Sequence, residues 1–84
     1  MVHFHVMSTR VLDMRGRACP APIVELMRAI RAVGDGDMIE VLADDRAFPA
    51  DVTAWCRKTN NTLVSMNRRA DAHVAIVKKG SAEA

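Results

Sequence analysis

The apolar pattern of the chain predicts an α+β fold. It is a two-layer α/β sandwich of order β-α-β-α-β-β, with two helices packed on one face of a four-stranded mixed sheet. Three observations carry that reading. Short β-branched or alternating runs alternate with stretches whose apolar residues recur every three to four positions. Glycine, proline and asparagine punctuate the boundaries. The last two strand-like runs are separated by four residues of hairpin length, so two β-α units and a hairpin share one sheet.

Taken in order, residues 1–9 read as an N-terminal extension, residues 10–80 as the domain and residues 81–84 as a loose tail. In the extension Val2, Phe4 and Val6 alternate weakly with His3 and His5. Arg10-Val11-Leu12-Asp13-Met14 is the first strand and ends at the turn Arg15-Gly16. From about Pro20 to Val33, the residues Ile23, Leu26, Met27, Ile30 and Val33 fall on one helical face, and Gly34-Asp35-Gly36 stops the helix. Pro20 and Pro22 suit a first turn, where the N–H that proline lacks has no intrahelical partner.

Met38 to Ala43, bounded by Asp37 and Asp44, is the second strand. Asp44-Asp45 offers side-chain oxygens for capping or turn formation ahead of a second helix, Pro49 fits its opening turn, and Phe48, Val52, Trp55, Cys56 and Thr59 share a face. Asn60-Asn61 closes it, because asparagine tolerates the left-handed conformation. Thr62–Asn67 and Ala72–Val77 are then two strands joined by Arg68-Arg69-Ala70-Asp71. The expected core is Leu12, Ile23, Leu26, Met27, Ile30, Ile39, Val41, Val52, Trp55, Val64, Val74 and Ile76.

Bulk properties narrow the function. With 84 residues, half of them hydrophobic and 26% charged, the chain makes one folded domain and lacks the composition of a disordered one. A net charge of +2 is too small to mark a nucleic-acid binder. Phe4, Phe48 and Trp55 are the only aromatics, which leaves little for base stacking, so nucleic acid is not expected as a direct partner. Two cysteines do not make a secreted disulfide framework. No apolar run approaches the ~20 residues that span a bilayer, and the first residues lack a signal-peptide layout. A cytoplasmic protein without membrane contact is expected.

The chemistry concentrates in Arg15-Gly16-Arg17-Ala18-Cys19-Pro20-Ala21-Pro22. Cys19 sits where a loop becomes a helix, and helix N-termini and nearby cations both lower a thiol pKa from ~8.5. With Arg15 and Arg17 close in sequence, the expectation is a thiolate that they stabilise. A resolving cysteine is missing from Cys-Pro-Ala-Pro, unlike a Cys-x-x-Cys redox motif, and no local histidine serves as base. A thiolate that accepts a group and later surrenders it fits better. The competing reading, an inert buried cysteine, sits poorly at a junction flanked by arginines.

At these residues the sequence resembles the TusA/SirA-like sulfur carrier (sulfurtransferase) family. The resemblance rests on Leu12-Asp13, Gly16, Cys19-Pro20-x-Pro22, Gly36, Val41, Asp44-Asp45, Trp55-Cys56 and Val77-Lys78-Lys79, and covers about residues 10 to 80. It implies a fold of two helices on a four-stranded mixed sheet. It also implies that Cys19 takes sulfane sulfur as a persulfide from a donor such as a rhodanese or cysteine desulfurase, and passes it to an acceptor protein in a sulfur relay. Such a carrier is of sulfurtransferase type and has no independent turnover site. Arg17 departs from the apolar residue that the family commonly places two positions before the motif cysteine.

The remaining candidates have plainer readings. Cys56, beside Trp55 on the apolar helix face, is read as a packed thiol, with an auxiliary or resolving role left open. His3, His5 and the cysteines lack the short spacing of a zinc site, so no metal or other cofactor is expected. His73 reads as a sheet residue. Met14 is expected at an exposed apolar edge near Cys19. Arg57-Lys58, Arg68-Arg69 and Lys78-Lys79 read as solvated ends of elements; the alternative function they leave is a non-enzymatic RNA- or protein-binding regulatory module.

Overall fold

The computed structural model describes residues 9–80, so the extension up to Ser8, with His3 and His5, and the tail 81–84 lie outside the described residues. Six elements follow in the expected order: β1 (Thr9–Asp13), α1 (Ala21–Arg31), β2 (Met38–Ala43), α2 (Phe48–Thr59), β3 (Thr62–Arg69) and β4 (Ala72–Lys78). They form one sheet of order β1-β2-β4-β3. β1 lies parallel to β2, while β4 runs antiparallel to both β2 and β3. Helix α2 ends at Asn60, whose φ of 60° is the left-handed closure expected of asparagine. A Cβ at Gly80 would lie 1.9 Å from the Asn60 carbonyl oxygen, so only glycine lets β4's end pass this close to the helix end.

Register settles which residues face the helices. Ile39, Val41 and Ala43 are buried, and their partners on β4 are Val77, Ala75 and His73. Side chains alternate along a strand, so Val74 and Ile76 point to the opposite, helix-free face. This corrects the expected core: Ala75 and Val77, not Val74 and Ile76, meet the helices. Val74 is still buried there, whereas Ile76 is half-buried. Val64 is 50% exposed because the ladder slips between Leu63 and Ser65, which leaves Val64 as the extra residue of a bulge.

The buried centre is Leu26 and Ile30 of α1, Phe48, Val52 and Cys56 of α2, and the inward strand residues. Met14, expected at an exposed edge, is buried and plugs the core just past β1. Its N–H donates to the Leu42 carbonyl at 2.7 Å, carrying the β1–β2 ladder one residue further. Leu12 of β1, Ile23 of α1 and Trp55 of α2 pack against the core from its margin, and Met27 of α1 is 37% exposed. β3 runs two residues further than expected, since Arg68 and Arg69 pair with His73 and Ala72. The hairpin loop therefore shrinks to Ala70-Asp71, with Ala70 at φ 55° as tight hairpin turns require.

Candidate functional site

β1 and β2 are parallel neighbours, so the loops that leave their C-terminal ends lie side by side. One loop carries Arg15 to Pro20, the other Asp44 to Ala47. Within the first, the Arg17 N–H donates to the Met14 carbonyl at 3.1 Å, and Gly16 supplies the φ of 81° that this turn needs. The second loop holds the first in place. Gly16 N–H donates to Asp44 Oδ1 at 3.0 Å and Oδ2 at 3.1 Å, and Cys19 N–H donates to Asp45 Oδ2 at 3.2 Å.

Of the expected capping or turn formation, only a weak turn contact of Asp45 is present, and the pair's main partners lie in the other loop. No side chain caps α2; its N-cap is Ala47, and the Asp45 carboxylate reaches Ala47 N–H only at 3.4 Å. Both carboxylates spend their acceptor capacity chiefly on the Cys19 loop, because the parallel strands bring that loop's N–H groups beside them.

Cys19 is half-buried at the start of α1 and packs against the core, next to a cis bond to Pro20. Helix α1 begins at Ala21 with Pro20 as N-cap and Pro22 in its first turn. Proline has no N–H, and the Ala21 N–H is already given to the Ala18 carbonyl at 3.0 Å, so few first-turn donors are left to favour an anion. The thiol's surroundings oppose ionisation. Burial, then a hydrogen bond to the Asp51 carboxylate and the charge of Asp45, push Cys19 up from 9.0 to about 11. Against the expected thiolate, these surroundings favour the protonated thiol.

The arginines are occupied or turned elsewhere. Arg15 clasps Asp13 with Nε at 2.8 Å and a terminal nitrogen at 2.6 Å, and this pairing holds the Asp13 carboxyl down to about 2. Arg17 lines a shallow groove with Gly16, Ala18, Asp44, Asp45 and Arg46. The groups acting on the thiol are Asp51 and Asp45. Read from the sequence, Asp45 has a role only in capping or turn formation, with a place in the family resemblance, and Asp51 is passed over. The signal that finds them is topological: parallel adjacent strands put the β2–α2 loop and the first turn of α2 beside the β1–α1 loop.

Cys56 is buried, and burial alone pushes its thiol up to about 11. The two cysteines are free thiols. Beside Cys19, a groove of 290 Å³ runs between the helices, lined by Pro20, Ile23, Asp51, Ala54, Trp55 and Lys58. Trp55 also lines a second groove, of 370 Å³, that continues along Met27 and Ile30 towards Lys79. Among the described residues no three His, Cys, Asp or Glu side chains gather to hold a metal ion, and no helix is long and apolar enough to cross a membrane. His73 sits half-buried in β4, within the sheet.

Arg57-Lys58 and Lys78-Lys79 lie at the end of the sheet where α2 runs into β3, and Arg68-Arg69 at the other end. The basic pairs therefore do not form one surface.

Comparison with known proteins agrees with the architecture. The profile of the family described as Sulfurtransferase TusA matches residues 10–79. Three curated relatives share the printed name "Putative sulfur carrier protein". One, from Archaeoglobus fulgidus, is 33% identical over 69 residues, covering 82% of this chain and 94% of its own length. Another, from Neisseria meningitidis serogroup A, is 32% identical over 72 residues, covering 86% and 97%. The third, YrkI of Bacillus subtilis, is 34% identical over 73 residues, covering 87% and 97%. A crystal structure of a SirA-like protein from Desulfitobacterium hafniense has the same fold, with a TM-score of 0.74 and 18% identity over 89% of this chain and all of that one. From the matched profile and the coverage of these relatives, the chain belongs to the TusA family of sulfur carriers.

Proposed function

We propose that the chain is a cytoplasmic sulfur carrier that holds sulfane sulfur as a persulfide on Cys19. The observation that carries the reading is the contrast between its two thiols. Cys19 is half-buried at a loop–helix junction in Cys-Pro-Ala-Pro, whereas Cys56 is sealed in the core at 3% exposure.

In the reaction Cys19 loses its proton and its sulfur attacks the outer sulfur of a donor persulfide. A new S–S bond forms on Cys19, the donor's S–S bond breaks, and the donor leaves as a thiolate that takes up a proton. The exchange conserves thiol and persulfide and needs no outside oxidant. An acceptor thiol then removes the sulfur by the same step in reverse. Donor and acceptor are proteins, the donor a cysteine desulfurase or rhodanese. They meet the chain by transient docking at the loop and the helix groove, a surface of open grooves in place of a deep substrate cavity.

Intact-mass measurement after incubation with a cysteine desulfurase and cysteine tests this. One added sulfur atom is expected on the wild-type chain and none on Cys19→Ser; no adduct on the wild-type chain would reject the assignment.

A further inference from the structure

We propose that Asp45 and Asp51, the two carboxylates set around Cys19, form a latch that restrains its reactivity in the free chain, and that a cationic side chain of a docking partner releases it by pairing with Asp51. The inference rests on the carrier reading of Cys19 and adds how that thiol is switched on.

The geometry has two parts. Asp45 is held by the loop itself: the Cys19 N–H donates to it at 3.2 Å and the Ala47 N–H more weakly at 3.4 Å, which keeps its charge beside the cysteine. Asp51 is different. It stands exposed in the first turn of α2 and forms a wall of the groove with Pro20 and Ile23, next to the cysteine, where its charge opposes a thiolate.

Other charges leave Asp51 available. On the cysteine's own loop Arg15 is spent on Asp13, and Arg17 lines the shallow groove with Asp44, Asp45 and Arg46, a groove that Asp51 does not line. On α2, Lys58 shares the Asp51 groove but lies two helical turns on, about 10 Å along the axis. Among the described residues no cation pairs with Asp51. It is an acidic group at the mouth of an apolar groove, beside the thiol that must ionise. A partner arginine or lysine seated there neutralises one carboxylate and brings a positive charge to the sulfur, and both effects favour the thiolate. Undocked, the protonated thiol is slow towards disulfides and oxidants.

Iodoacetamide alkylation of the full chain tests the latch without any sulfur donor, so its failure is separate from failure of persulfide loading. The rate is followed on the tryptic peptide of residues 18–28, which holds Cys19 apart from Cys56. Each unit by which the thiol pKa falls gives about tenfold more thiolate below the pKa. The weaker nucleophilicity of a less basic thiolate reduces that to about threefold in rate. Asp51→Asn is expected to speed alkylation at pH 7.5 about threefold and to move the pH profile downward. Asp45→Asn, which keeps an oxygen for the Cys19 N–H, is expected to do the same. Ala54→Arg sets a guanidinium one turn from Asp51 as a built-in stand-in for the partner's cation; it should also speed alkylation, and added salt should weaken the effect. An unchanged rate and profile in Asp51→Asn overturns the latch. A slower rate overturns it too, in favour of Asp51 as the base that takes the Cys19 proton. Acceleration by Asp51→Asn with none by Ala54→Arg overturns release by a cation.

Discussion

Asp44 joins the two loops of the site, and replacing it measures what that join contributes. In the native chain Gly16 N–H faces both Asp44 oxygens, at 3.0 and 3.1 Å. A hydrogen bond to a charged group contributes roughly 1.5–3 kcal/mol when shielded. Here both residues are exposed, so water replaces part of the loss and screening weakens the rest, which leaves about 1 kcal/mol for Asp44→Ala. At about 1 kcal/mol per molar urea for so small a domain, the unfolding midpoint falls by about 1 M. Asp44→Asn keeps one oxygen acceptor and loses the charge, and is expected to lose about half as much. Urea titration followed by the fluorescence of half-buried Trp55 gives the midpoints. An unchanged midpoint in Asp44→Ala refutes the tether. A larger loss in Asp44→Asn than in Asp44→Ala refutes hydrogen bonding as its source.

Two further predictions concern titration. Cys56 is buried with its pKa raised from 9.0 to about 11, so the folded chain holds that proton more tightly than the unfolded one. The stabilisation is complete below pH 9 and is lost as pH rises through 11, by about 2 kcal/mol; urea midpoints measured from pH 8 to 11 should fall, and should fall less in Cys56→Ala. Asp13 is the opposite case: Arg15 lowers its pKa to about 2, so the contribution is present above 3.8 and disappears as pH drops towards 2. Carboxyl carbon NMR should show Asp13 titrating near 2 and, in Arg15→Ala, close to the ordinary carboxylate range; an unmoved titration in the variant would contradict the pairing.

Much of the fold was legible because local chemistry and tertiary structure agree. β2 matches its expected bounds, Met38 to Ala43, since aspartates flank a run whose only polar residue is Glu40. Asn60 closes α2 because a left-handed residue was needed and asparagine accepts that geometry. The faces of β4 were less legible. Every residue from Val74 to Val77 is apolar, so alternation cannot say which pair meets the helices until β2 supplies the register. The Val64 bulge likewise arises in pairing, not in the strand's own sequence.

At the site, position was legible and electrostatics was not. Cys-Pro-Ala-Pro put Cys19 at the start of α1, where it stands. Its expected cations, Arg15 and Arg17, are neighbours along the chain. The carboxylates that act on the thiol come instead from the β2–α2 loop and from α2. A parallel β1–β2 pair makes those segments its neighbours in space, and two prolines together with the Ala18–Ala21 bond remove most of the free amides that would have drawn an anion.

Locating the carried sulfur tests the central claim most directly. The wild-type chain is loaded by a cysteine desulfurase and cysteine, capped with iodoacetamide and cut with trypsin. Cleavage after Arg17, Arg28, Arg46 and Arg57 places Cys19 in the peptide of residues 18–28 and Cys56 in that of residues 47–57. The account predicts the additional sulfur on the first peptide alone. Sulfur on the second peptide, or on neither, would contradict it.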